Sequence, residues 1–260
     1  MVKSEITVAR SLAKGAKGWM VLPFLLVMLV LSSFGQQTAS QTPPVPGTLK
    51  PSEAPNGTNP PEPEQKRIFG IIPNYRTYPS LLHYQPLSTS QKFKIAAQDS
   101  FDRGTFVLAA AFAGVNQLTR SNPSFGDGAA AYARYLGTSY ADFVIGDFMT
   151  EAIYPTLLRQ DPRYFRRSQG SGLGRFGYAV GQLFWTHTDG GGKQFNYSEV
   201  LGNATSVAIS NVYYPENRNA SDALIKLGTQ LAVDMGSNIL KEFSPDINRR
   251  FFRSPRQRNP

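Results

Sequence analysis

The sequence predicts an all-α fold: a compact bundle of about five helices packed through small-residue faces, preceded by a signal segment and a disordered proline-rich linker. Three observations lead there. Long stretches repeat apolar residues every three or four positions. No segment alternates apolar and polar residues as a half-buried strand does. Glycine, alanine and serine recur four apart along the expected helix faces.

Residues 1–35 read as a signal peptide or signal anchor. Lys3, Arg10, Lys14 and Lys17 precede the apolar run WMVLPFLLVMLVLSSF at 19–34, the order of charge and hydrocarbon found in secretory signals. Ser33-Phe34-Gly35 and Thr38-Ala39-Ser40 offer small residues for cleavage. Left uncleaved, the run is an anchor slightly short of the ~20 residues that span a bilayer. In either case the positive end stays inside and the remainder is exported, so the expected location is the periplasm or cell envelope. Residues 36–66 contain eight prolines and no large aromatic, the composition of an extended linker. The helical domain is expected over 67–250, with a basic tail at 251–260.

The domain opens on RIFGIIPNYRTYPSLLHYQPL, which Pro73, Pro79 and Pro86 keep irregular. Ser88-x-x-Gln91 is a capping box. It starts a helix over 89–119, where Phe93, Ala97, Phe101, Gly104, Leu108, Ala111, Val115 and Leu118 step by three and four. Asn122, Pro123 and Gly126 break the chain. A second helix is expected over 128–160. Its stretch FVIGDFMTEAIY is apolar on most sides and therefore central, and Pro155 should kink it or end its regular part. Asp161-Pro162 reads as the cap and first residue of a short new helix. A third helix covers 173–187, and THTDGGGKQ is a loop. A fourth covers 198–212 and ends at Tyr214-Pro215. Ser221 caps a fifth over 222–243, with Leu224, Leu227, Leu231, Met235 and Ile239 as its apolar stripe, and Ser244-Pro245 stops it.

The stretch GSGLGRFGYAVGQ, residues 170–182, carries Gly172-x-Gly174-x-x-Gly177. That spacing binds dinucleotides only when a buried strand precedes it and an acidic residue follows about 20 positions on. Here the preceding RYFRRSQ is basic and Asp189 is too near, so no nucleotide cofactor is expected. Gly174, Gly177 and Gly181 instead share one helix face. Ala110 and Gly114 do the same, as do Ala133, Gly137 and Ala141; Gly202, Ser206 and Ser210; and Gly228, Ala232 and Gly236. Such faces let backbones approach closely. Left partly exposed, they would serve as a homo-oligomer interface. A membrane-embedded bundle is not expected: no later apolar run approaches ~20 residues, and Asp142, Asp147 and Glu151 would be costly in lipid.

The net charge is +9, although charged residues make up only 17% of the chain. This balance favours anionic partners. The chain has no cysteine, which excludes disulfides, thiolate chemistry and a cysteine-linked lipid anchor. Its two histidines, His83 and His187, lie far apart, so no metal site is expected. There is no Gly-x-Ser-x-Gly elbow. Asp147 and Glu151 lie one turn apart. Buried together, one of them would hold its proton and act as a general acid; with His187 they are the catalytic candidates. The plainer reading pairs each acid with an arginine of the nearby RQDPRYFRR. Arg159, Arg163, Arg166, Arg167 and Arg175 fall within 17 residues. They are the candidate ligand-binding site, for a lipid headgroup or acidic glycan held in bidentate forks. Nucleic acid suits the charge but not an exported protein, so it is not an expected partner. Asn56, Asn196, Asn203 and Asn219 occupy glycosylation sequons.

The stretches DPRYFRR (161–167), FNYSEVLGNATSVAISNVYYP (195–215) and KEFSPDI (241–247) resemble a family of uncharacterised exported bacterial envelope proteins. The resemblance covers about residues 67–250. It implies an envelope location and a single domain, and transfers no catalytic residue. The leading expectation is an exported envelope structural or binding protein that engages anionic lipid or glycan through its arginines and is not an enzyme. The competing one is a periplasmic hydrolase or lipid-modifying enzyme using Asp147, Glu151 or His187.

Overall fold

The computed structural model describes residues 66–79, 81, 84–216 and 219–251. The signal segment, the linker, His83 and residues 252–260 lie outside them. The described part is mostly helical, but the all-α expectation needs correcting: three small sheets join segments expected to be irregular or helical.

The first sheet is a hairpin of β1 (Arg67–Ile68) and β2 (Ile72–Pro73), turned through Phe69 and Gly70 at positive φ. In the second, β3 (Thr77–Tyr78) runs parallel to β5 (Tyr164–Phe165). In the third, β4 (Gln160–Asp161) pairs with β6 (Trp185–Thr188), which pairs with β7 (Lys193–Phe195). Asp161 therefore starts no helix, and the third expected helix ends before Trp185. THTDGGGKQ supplies most of a hairpin. Strands of two to four residues are too short to show alternation.

α1 (Thr89–Ser100) opens on the expected capping box: Ser88 Oγ accepts the Gln91 amide at 3.3 Å, and Gln91 Oε1 accepts the Ser88 amide at 2.8 Å. The single helix expected over 89–119 is in fact two. α2 (Arg103–Leu118) starts afresh because Asp102 turns extended and caps the Gly104 amide at 2.7 Å. Arg67 and the Tyr75 hydroxyl hold the same carboxylate, at 2.5 and 2.8 Å. Gly104 is required there, since a Cβ would lie 1.7 Å from the Ile71 carbonyl oxygen.

α3 (Gly128–Asp147) continues into a π-helical segment, Phe148–Ile153, and then α4 (Tyr154–Leu157). The regular ladder thus ends ahead of Pro155, which lacks an N–H to continue it. The Thr150 hydroxyl donates to the Gly146 carbonyl at 3.0 Å, and Lys92 Nζ donates to the Pro155 carbonyl at 3.0 Å. α5 (Gly172–Gly181) is capped by Ser171, and α6 (Tyr197–Ser210) by Asn196. α7 (Ala220–Phe251) runs through Pro245 instead of stopping there. The Lys241 carbonyl, which Pro245 cannot serve, takes the Ser244 hydroxyl at 3.4 Å. Its start is capped by Asn219, whose Oδ1 accepts the Asp222 amide at 2.9 Å, and not by Ser221.

Packing through small-residue faces holds at one of the expected helix faces. α6 presses on the π-helical segment at Gly202, where a Cβ would lie 2.8 Å from Thr150 Cγ2. At Gly114, Gly137, Gly177, Gly181 and Gly228 an added Cβ would meet nothing within 4 Å. Gly172-x-Gly174-x-x-Gly177 forms the first turns of α5. The apolar core is instead divided. One cluster centres on Ala113, Phe125, Tyr135 and Tyr214, the other on Tyr164, Ala179 and Ile239.

Overpacking a close approach costs roughly 1–3 kcal/mol and sometimes more, whereas an open helical Gly→Ala gains about 0.5–1 kcal/mol. Chemical denaturation should therefore find Gly202→Ala and Gly104→Ala destabilised and Gly228→Ala stabilised. A neutral Gly202→Ala would remove the close α6 crossing.

Candidate functional site

A cleft runs between α2 and α3 on one side and α7 on the other. α2 packs along α3 over its length, while α7 leans on α5 and α6. The space left between them has a volume of about 510 Å³, within the range of small-molecule sites. Its middle is apolar, formed chiefly by Leu108, Phe112, Val115, Phe143 and Val233. At one end Lys226 reaches Asp142 at 3.1 Å, and the Tyr213 and Tyr214 hydroxyls donate to the same carboxylate at 2.5 and 2.8 Å.

The other end gathers charged side chains from several elements. Arg76, just before β3, places its guanidinium 3.3 Å from Glu151 of the π-helical segment. Asp99 of α1, Asp147 of α3 and Asp234 and Lys241 of α7 line the same end. Glu199 stands behind them, joined to Asp234 through Asn203, whose Nδ2 lies 3.0 Å from Asp234 and 3.4 Å from Glu199 Oε1. Five carboxyl groups thus surround two cations. Burial disfavours the charged form of Asp99, Asp147, Glu151 and Glu199. Burial, then the charge of Asp99, raises Asp147 and Glu151 well above the usual carboxyl range. Burial raises Asp99 against the pull of Lys241 and Arg76. Burial and Asp234 push Glu199 up to about 8. Lys241 is pushed down to about 8 by burial and by Arg76. Asp99 Oδ2 and Glu151 Oε2 are buried with no donor from the protein.

Asp147 and Glu151 do meet in this cleft, as their spacing suggested, but their expected partners are corrected. No arginine of RQDPRYFRR reaches them among the described residues. Glu151 takes Arg76, and Asp147 Oδ2 accepts from the Ser100 hydroxyl at 3.1 Å. Arg76 gave no signal in the sequence beyond standing in an aromatic, proline-broken segment. His187 lies elsewhere, buried in β6 beside Tyr84 and Phe165, with Nδ1 unpartnered. Burial lowers its pKa, with the Lys193 charge adding to the effect.

The five arginines separate. Arg163 is buried against Asp161 at 2.6 Å, among the rings of Tyr78, Tyr84 and Phe165. Arg175 bridges Glu242 at 2.8 Å and Asp246 at 2.6 Å. Glu242 is fully buried and also accepts from the Tyr164 hydroxyl and the Arg167 and Ser168 amides. DPRYFRR and KEFSPDI are therefore fastened to each other. Arg159 is exposed, with positive φ. Arg166 and Arg167 line a smaller pocket of about 350 Å³ with Lys193, Phe165, Tyr178 and Leu81. Three of the sequons are structural: Asn196 caps α6, Asn203 is buried in the acid cluster, and Asn219 caps α7. Among the described residues no group of three acidic or histidine side chains could hold a metal ion, and no helix is long and apolar enough to cross a membrane.

Comparison with known protein families, curated proteins and solved structures gives no match.

Two outcomes follow from this charge arrangement. Asp161→Asn leaves the Arg163 guanidinium buried without its carboxylate, so denaturation should show a loss of about 3–5 kcal/mol; a loss below about 1 kcal/mol contradicts the assignment. For Glu199, the folded protein binds more protons than the unfolded chain between 4.5 and about 8. Its contribution is full below that window and is lost as pH rises through it. Lys241 acts oppositely, and only between about 8 and 10.5. Melting temperature should therefore fall from pH 5 to pH 8, and fall less steeply in Glu199→Gln.

Proposed function

We propose that this chain is a non-catalytic binding protein of the cell envelope that holds an amphiphilic small molecule in the cleft between α2, α3 and α7. The observation carrying the proposal is a cleft with an apolar middle and charged ends. Apolar walls supply affinity through area removed from water, and a few placed polar groups supply orientation. The signal segment at 19–34 and the proline-rich spacer support an envelope location.

A second reading has its own observation. Arg166, Arg167 and Lys193 share one pocket with Phe165 and Tyr178, which suits an anionic lipid headgroup or acidic glycan. Arg163 and Arg175 belong to the fold in that reading and not to the ligand. The catalytic alternative retains Asp147 and Glu151, whose retained protons suit a general acid. Among the described residues lining the cleft no histidine stands with them.

Ala111 lines the cleft yet is otherwise exposed. Ala111→Trp should fill the cleft without disturbing the core, leaving stability within about 0.5 kcal/mol. Fluorescence titration with the apolar probe N-phenylnaphthylamine should show saturable uptake by the parent protein and a loss of tenfold or more in the variant. Equal uptake by both proteins would place the probe elsewhere and remove the cleft from the proposal.

A further inference from the structure

We infer that the acid-rich end of the cleft selects a protonated amine, so that the ligand is an amphiphile with an apolar body and an ammonium head. This rests on the cleft being a binding site and adds the chemistry of its head group.

The first argument is the imbalance of charge. Arg76 and Lys241 are the cations of the cluster, set against Asp99, Asp147, Glu151, Glu199 and Asp234. An anionic head would enter a site already in excess of carboxyl groups. A cation can take the place of a proton that those carboxyl groups hold.

The second argument is the unfilled acceptors. Asp99 and Glu151 are 7% and 3% exposed, line the cleft end, and each leave one oxygen without a donor. A buried acceptor left unpaired costs about 1–3 kcal/mol. Without a ligand, a proton shared between the two carboxyl groups fills the gap. An ammonium brings N–H donors and positive charge to the same end and displaces such protons. Asp147 and Asp234 are only partly buried and present carboxyl groups to the cleft, giving the ammonium its first contacts. The acids are spread over α1, α3, the π-helical segment and α7, and no three of those described converge as metal ligands do. A head group with several N–H donors matches that spread better than a point-like ion.

The test compares three probes of equal chain length below their micelle concentrations: dodecylamine, dodecanol and dodecanoate. Isothermal titration to the parent protein should place dodecylamine about tenfold or more ahead of both others, since hydrogen bonds to charged groups exceed neutral ones by that order. Its binding should release protons, seen as an enthalpy that varies with the ionisation heat of the buffer. Its affinity should rise from pH 5 to pH 8, because beside Asp234, Arg76 and Lys241 the incoming ammonium displaces protons that Asp99, Asp147, Glu151 and Glu199 hold above the usual carboxyl range. Asp147→Asn, near in shape to the protonated acid, should reduce the lead of dodecylamine several-fold and leave dodecanol unchanged; Asp234→Asn gives an independent second variant. Dodecanol or dodecanoate binding as tightly as the amine, in a manner blocked by Ala111→Trp, overturns the head-group inference and leaves the cleft standing. If Ala111→Trp blocks none of the three, the cleft reading itself fails.

Discussion

One guanidinium in the interior sets the terms for the rest of the fold. Arg76 enters from the short segment between β2 and β3 and sits beside Glu151, within the field of Glu199, Asp234 and Asp99. Those acids belong to the π-helical segment and to α6, α7 and α1. A charge with this many opposite neighbours cannot give up its proton, and burial alone is outweighed by them. The neighbours cannot all ionise around it, because one guanidinium and one partly neutralised lysine do not balance five carboxylates. The interior is therefore a place where protons are held, and four elements are tied together by which groups hold them.

The cleft follows from the same constraint. A buried cluster of this kind must keep its polar atoms satisfied, so the helices carrying it cannot collapse onto one another as apolar faces would. The π-helical segment contributes too, since its wider turn interrupts the regular ladder just where Asp147 and Glu151 face the cleft. Small residues have a different role from the one their spacing suggests. Gly236 lines the cleft, where the missing side chain leaves space for an occupant; Gly146 lines it too, but a Cβ there would meet Ser206 Oγ of α6 at 3.9 Å.

What the sequence made legible was local. The Ser88 and Gln91 capping box, the course of α3 and the start of α5 are set by residues within a few positions of one another. The same holds for Asp147 and Glu151 sharing the cleft. What it hid depends on partners far along the chain. The break between α1 and α2 is set by Asp102, but Arg67 and Tyr75 hold that carboxylate in place, 35 and 27 residues away. Thr77–Tyr78 becomes a strand only because Tyr164–Phe165 lies beside it. The rule that proline stops a helix fails at Pro245, where the Ser244 hydroxyl and Arg175 serve the Lys241 and Glu242 carbonyls. Arginine density likewise could not separate Arg163, committed to Asp161, from Arg166 and Arg167 at a pocket.

The distribution of charge also decides where selectivity can arise. The chain is basic overall, and Arg159, Arg166 and Arg167 lie toward its surface, while the acids lie inside. At long range such a protein repels a cationic ligand, but salt at physiological strength screens that repulsion beyond about 8 Å. Inside the cleft, solvent no longer screens, and the carboxyl groups act at full strength on whatever touches them. Uptake must then be driven by the apolar walls, which do not discriminate among head groups, and discrimination must come last, at contact. An arrangement with apolar walls leading to a buried acid cluster separates those two tasks along one cleft, and the proton held there until contact keeps the site from exposing uncompensated charge.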